Sequence, residues 1–211
     1  MAIQIQGTNS VNVQADSFMG SMRVSTVPRG DGYALSSVTG TIAAAATANS
    51  CFFAMRTNPG ASKNAYITQL RIQYTTIVVY TTPVTAGRRL AVYRGSAAAA
   101  SGGTALATAA QMLTTSPTSI VNSANSGDAR IASTGGLTVT GITFETQELE
   151  TFYLTGYGAA GATANFERRY DQAGSSPIIL TPGQLIAIRN PAAMDAAGTW
   201  QIGVDIEWYE F

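Results

Sequence analysis

Thr199-Trp200-Gln201-Ile202-Gly203-Val204-Asp205-Ile206-Glu207-Trp208-Tyr209 alternates without a break. Every even position from Trp200 to Trp208 is large and apolar, and between them stand Gln201, Gly203, Asp205 and Glu207. Successive side chains of a β-strand point to opposite faces, so this pattern predicts a strand with one buried face and one wet face. Both tryptophans of the chain lie in it, which marks it as the strand that closes the core. Just upstream, Leu180-Thr181-Pro182-Gly183-Gln184 is turn chemistry and Leu185-Ile186-Ala187-Ile188 is an apolar run, a second core strand.

Moving outward, the longest strand expected is Tyr66 to Thr81, where Leu70, Ile72 and Tyr74 alternate with Gln69, Arg71, Gln73 and Thr75. Further strands are expected at Tyr33 to Ile42, Cys51 to Arg56, Arg88 to Arg94, Leu137 to Phe144 and Glu150 to Tyr157. Ala43 to Ala48 is helical in composition but too short to hold a helix. One short helix is expected around Thr104 to Leu113, and residues 114–136 and 158–176 read as polar loops. Short strands, frequent turns and almost no helical periodicity predict an all-β fold, a two-sheet β-sandwich of jelly-roll type. Its core is expected to include Leu70, Ile72, Tyr74, Val92, Leu154, Ile188, Ile202, Val204, Ile206 and Trp208. Residues 31–211 form this body. Residues 1–30, with alternation only at Ile3 to Gln6 and Val11 to Gln14, read as an extended N-terminal arm or short hairpin.

Composition narrows function. A chain of 211 residues buries enough surface to fold without staples, and its single Cys51 offers neither a disulfide framework nor a thiolate metal site. Histidine is absent, so neither histidine-based triads nor histidine-ligated metals are expected. Charged residues make up 11% of the chain with zero net charge, which gives little steering toward nucleic acid or anionic membranes. Apart from Lys63 every cation is arginine, whose rigid fork suits fixed contacts, here expected between subunits. No apolar run approaches the length of a membrane span and the N-terminus has no signal-peptide character, so synthesis in the cytoplasm is expected.

Four motifs carry possible chemistry. Asp205 and Glu207 share a strand face at the spacing a glycosidase-type carboxylate pair requires, and Glu145, Glu148 and Glu150 form a second acidic cluster. A solvated strand face and the rim of a turn are the simpler readings. Gly156-Tyr157-Gly158-Ala159-Ala160-Gly161 spells the dinucleotide fingerprint, but no apolar helical stripe follows it. Arg29-Gly30-Asp31 reads as a turn. The doublets Arg88-Arg89 and Arg168-Arg169 lack the interleaved aromatics of a nucleic-acid site, so acidic partners on a neighbouring subunit are expected for them. No catalytic, cofactor-binding or metal-binding residue is assigned.

Several stretches resemble tailed-phage virion proteins with a jelly-roll body. They are Ile67-Thr68-Gln69-Leu70-Arg71-Ile72, Arg89-Leu90-Ala91-Val92-Tyr93-Arg94-Gly95, Gly102-Gly103-Thr104-Ala105-Leu106, Asp128-Ala129-Arg130-Ile131, Leu180 to Leu185, and Ile206-Glu207-Trp208-Tyr209-Glu210. The resemblance implies a non-enzymatic structural protein of a bacteriophage virion made in the host cytoplasm. It most closely suggests a capsid decoration (cement) protein, homotrimeric and bound to the major capsid protein, with no cofactor, nucleic acid or membrane partner. The alternative is a receptor- or glycan-binding tip of a fibre, with Tyr157 and Tyr170 as exposed contact residues.

Overall fold

A computed structural model describes residues 12–15, 22–25, 31–81, 88–106, 110–111, 118–121, 127–154, 157–170, 176–195 and 197–211. The chain divides into two units, Met1–Gly30 and Asp31–Phe211. In the first, β1 (Asn12–Ala15) pairs antiparallel with β2 (Met22–Ser25). The alternation at Ile3 to Gln6 lies outside the described residues, as does the path by which this unit reaches the body.

The body strands are β3 (Asp31–Val38), β4 (Cys51–Arg56), β5 (Ala65–Val78), β6 (Arg89–Ser96), β7 (Thr104–Ala105), β8 (Ala110–Gln111) and β9 (Asp128–Ile131). They continue with β10 (Thr143–Phe144), β11 (Glu150–Tyr153), β12 (Thr163–Arg169), β13 (Ile178–Leu180), β14 (Leu185–Arg189) and β15 (Thr199–Glu210). One sheet runs β12-β5-β15-β3-β8 with β13 also on β5, and the other β10-β6-β14-β4-β9-β7 with β11 also on β6. Neighbours are antiparallel throughout. In chain order the eight principal strands are β3, β4, β5, β6, β11, β12, β14 and β15. The first, eighth, third and sixth build one sheet and the second, seventh, fourth and fifth the other, which is jelly-roll wiring.

The two sheets face each other across one apolar core. Trp200 of β15 meets Phe52 of the opposite sheet edge-on, ring centroids 4.6 Å apart. The ten residues expected in the core are all buried. β15 does not close an edge; it lies centrally, hydrogen-bonded to β3 on one side and β5 on the other.

The two sheets are wetted differently, and the sequence patterns follow. β15 alternates buried with half-buried residues along its whole length, because the outer face of its sheet meets solvent. β4 and β14 are buried at every position but the last. The outer face of their sheet is covered by the segment 137–149, whose Ile142, Phe144 and Leu149 pack onto the core. Gly95 makes room for this strap: a Cβ there would lie 3.1 Å from both Ile142 Cγ2 and Phe144 Cδ1. Strands covered on both faces need continuous apolar runs, hence Cys51 to Met55 and Leu185 to Ile188.

Several expectations are corrected. Leu137 to Phe144 is not one strand. Isolated bridges at Leu137 and Thr138 lead into a turn at Gly141 (φ 81°), and only Thr143–Phe144 pairs again. The stretch expected to be helical around Thr104 to Leu113 instead supplies β7 and β8, and no helix occurs among the described residues. Alanine favours helix intrinsically, but without an apolar stripe the open edges of β9 and β3 capture the backbone. The expected polar loop 158–176 contains β12, seven residues long. β12 is a sheet-edge strand that turns only Ala164 and Phe166 toward the core, too little apolar content to show periodicity.

Candidate functional site

The outer face of the first sheet carries the carboxylates that the sequence nominates for acid/base work. Strand register sets Glu167, Arg71, Asp205 and Ser36 in one row across β12, β5, β15 and β3. Arg71 lies 3.4 Å from Glu167 and 3.9 Å from Asp205, and the Ser36 hydroxyl donates to Asp205. Glu207 occupies the same face one row along, opposite Gln69 and Ala34. The two acids therefore do share a face, but Asp205 is committed to a charge ladder. Such ladders hold neighbouring strands in register and contribute modestly where solvent reaches them.

The second acidic cluster has the same fate. Glu145 pairs with Arg94 (2.9 Å), Glu148 with Arg89 (2.7 Å) and Glu150 with Arg168 (2.9 Å). Glu148 is the most engaged: it also accepts from the Tyr93 hydroxyl at 3.0 Å and the Thr151 hydroxyl at 2.5 Å. Partial burial pushes its carboxyl up, but the hydrogen bonds of Thr151 and Tyr93 and the charge of Arg89 outweigh this and hold it below its ordinary value. A carboxyl whose folded pKa is depressed contributes stability above its ordinary pKa of 4.5 and loses it as pH falls through the folded value. Acid titration of Glu148→Gln is accordingly expected to show a shallower loss of stability below about pH 4.5 than the wild type. Parallel curves would remove Glu148 from the acid response.

For Arg88, Arg89 and Arg168 these contacts correct the expectation of acidic partners on a neighbouring subunit. Arg88, Arg89 and Arg168 find their carboxylates within the chain, at Asp195, Glu148 and Glu150. Others pin loops through backbone carbonyls. Arg189 donates twice to Asn49 O (3.2 and 3.1 Å) while lying 4.0 Å over the Phe144 ring. Arg56 reaches Gly183 O and Ala97 O. The forked guanidinium is used as internal loop fastening.

One cluster escaped sequence reading. At one end of the sandwich Arg88 grips Asp195 with two hydrogen bonds, Nε to Oδ1 at 3.2 Å and Nη2 to Oδ2 at 3.0 Å, and the carboxylate is wholly buried. The guanidinium lies 4.3 Å from the centre of the Tyr80 ring. The Tyr80 and Tyr74 hydroxyls are 2.9 Å apart, and a run of hydroxyls continues through Thr76 to the Tyr157 carbonyl. Burial pushes both phenols up, so they stay protonated at neutral pH. Arg88 and Asp195 are 107 positions apart, a separation at which single-sequence patterns carry no pairing signal.

The remaining motifs resolve into architecture. In the glycine-rich stretch Gly156 lies outside the described residues, Gly161 (φ 77°) sits in a turn, and β12 follows rather than a helix. No helix N-terminus is present there to hold a pyrophosphate. Of the Arg29-Gly30-Asp31 motif, Asp31 opens β3 and pairs with Lys63 at 2.6 Å. Tyr170 is buried, with its hydroxyl 3.4 Å from Glu150, and Tyr157 packs edge-on against Phe166, so neither is the exposed contact expected. Burial pushes the Cys51 thiol up to about 12, leaving it unreactive. Among the described residues no three acidic, cysteine or histidine side chains gather as a metal site, and no helix is long and apolar enough to cross a membrane.

A scan against protein-family models and a search of the curated proteins gave no match for this chain. The stretches that carry the phage resemblance are structural elements here. Arg89 to Gly95 is β6, Asp128 to Ile131 is β9, and Leu180 to Leu185 is the turn between β13 and β14. The acidic end of the last stretch has a function in folding. Buried Glu210 accepts hydrogen bonds from Trp208 Nε1 (3.0 Å), Ser119 Oγ (2.5 Å) and Ile120 N (3.1 Å), tying the end of β15 to the loop at 118–121.

Proposed function

We propose that this chain is a non-enzymatic structural protein of a phage virion, a capsid decoration protein that binds the major capsid protein as a homotrimer. The observation that carries the reading is where the charges go. Asp205 and the cluster Glu145, Glu148 and Glu150 are each paired with an arginine of the same chain, so the polar chemistry stiffens a scaffold. The arginine forks to carbonyls serve the same end. The resemblance supports the virion setting, and a neutral polar surface around a rigid jelly roll suits passive attachment to a shell.

The test is assembly. Purified chain should sediment at three times its 21.9 kDa mass, and it should bind particles that lack it. A variant starting at Asp31 should keep the wild-type melting temperature, because the body holds its own core, while binding particles less tightly. A hydrolytic activity that disappears in the Asp205→Asn, Glu207→Gln double variant would overturn the proposal, and so would a clean monomer with no affinity for particles.

A further inference from the structure

The cover of the second sheet is built differently from the strands it covers. β4 and β14 are buried at every position but the last, whereas no residue from 138 to 149 is buried. Ile142, Phe144 and Leu149 are half-buried where they pack onto the core. The backbone of this stretch is tied down at few points. Glu145 N donates to Arg94 O at 2.9 Å, Leu149 N donates to Val92 O at 2.8 Å, and Thr143 and Phe144 pair with Ser96 and Gly95. A segment with little buried apolar surface and solvent-facing backbone hydrogen bonds opens at lower free energy than the sheets beneath it. Both of its ends are anchored: Leu137 N donates to Cys51 O at 2.7 Å, and β11 follows on β6. The middle can therefore lift while the ends hold.

What fastens the middle is charge. The Glu148 carboxylate accepts from Arg89 Nη1 at 2.7 Å and the Tyr93 hydroxyl at 3.0 Å, both on β6, and from the Thr151 hydroxyl on β11. The other charged groups around it are engaged with partners of their own. Glu145 holds Arg94, and Glu150 holds Arg168 and the Tyr170 hydroxyl. Arg189 of β14 lies 5.2 Å from the centre of the Tyr93 ring and 4.0 Å from that of Phe144. Glu148 is thus the negative charge that joins the cover to β6, with Arg89 in direct contact and Arg189 beyond Tyr93. Protonating it would replace charge-assisted hydrogen bonds with weaker neutral ones and leave Arg89 without its counter-charge.

We propose that residues 138–149 form an acid-released strap: the Glu148 carboxylate fastens it to β6 at neutral pH, and protonation of that carboxylate lets it lift from the outer face of the second sheet. Lifting uncovers the apolar surface at Gly95, against which Ile142 and Phe144 pack. The sign follows from the contacts. Partial burial raises the Glu148 pKa, but the Thr151 and Tyr93 hydrogen bonds and the Arg89 charge outweigh it, so the closed strap holds the carboxyl below its ordinary 4.5. The lifted strap returns Glu148 to water and to that ordinary value. Closure is therefore favoured above pH 4.5 and is lost as pH falls through the lower, closed-state value. The inference stands independently of a place in a virion.

Amide hydrogen exchange of the full chain at neutral pH and about one unit below the ordinary carboxyl pKa tests it, each rate being divided by the intrinsic chemical rate at that pH. One carboxylate can change the opening equilibrium over that interval by at most about tenfold. Protection of the Glu145 and Leu149 amides should fall by about three- to tenfold in acid, while the amides of β15 lose less. Glu148→Gln should lower the protection of the same two amides at neutral pH by at least about threefold, and acid should then change it little. If that variant does not fold, Thr151→Val, which removes one of the three donors, should shrink the acid response of the two amides. Unchanged protection of the strap in acid overturns the proposal, as does an equal loss at the strap and at β15, which would mark global unfolding. A substituted protein with the wild-type acid response overturns it as well.

Discussion

Trp208→Ala is expected to cost about 3–5 kcal/mol, the range for deleting a large buried aromatic. Trp208 is fully buried in the central strand, stacked on Tyr33 at 5.7 Å. Its indole N–H also donates to Glu210, which holds Ser119 and Ile120. The substitution therefore opens a cavity between the sheets and removes one donor from a buried carboxylate. In a domain of this size each kcal/mol moves the melting temperature by roughly 2–4 °C, so the loss is plain in a thermal scan. Trp208→Phe separates the two parts: it keeps most of the ring volume but not the donor, and should cost less than the alanine variant. A Trp208→Ala protein melting within a degree or two of the wild type would contradict the placement of β15 at the centre of the core.

Asp195→Ala is expected to be comparably severe, about 3–5 kcal/mol, for a different reason. The Asp195 carboxylate is wholly buried and the Arg88 side chain nearly so. Taking the carboxylate away leaves a guanidinium in a site that water hardly reaches, beneath the Tyr80 ring. The Coulomb attraction of such a pair roughly offsets the cost of desolvating it, so losing one partner is much worse than losing both. Arg88→Met combined with Asp195→Ala should accordingly recover much of the stability lost in Asp195→Ala. Chemical denaturation of the two single variants and the double measures this directly. Single variants within about 1 kcal/mol of the wild type, or strictly additive losses, would show that the pair is not the desolvated anchor its geometry describes.

What could be read from sequence is what repeats along a strand. Alternation in Thr199 to Tyr209 and Tyr66 to Thr75 set the wet and dry faces, because side-chain direction follows from backbone geometry alone. The apolar runs Cys51 to Met55 and Leu185 to Ile188 identified strands for the same reason, though not why they fail to alternate. That reason is tertiary: Ile142, Phe144 and Leu149 arrive from elsewhere in the chain to cover their sheet. The candidate acids were visible as Asp205, Glu207, Glu145, Glu148 and Glu150, but their partners were not. Arg71 and Asp205 are neighbours only through the register of β5 against β15, and Arg88 and Asp195 only because the start of β6 meets the connection between β14 and β15. The edge strand β12 and the short pairings β7 and β8 escaped because an edge needs little apolar surface. For β5 and β15 the sequence by itself determined both the strand and the face it buries, local consequences of backbone geometry. Only the tertiary structure decided which charges meet, which face the strap covers and which stays open, since those depend on contacts between residues far apart in the chain.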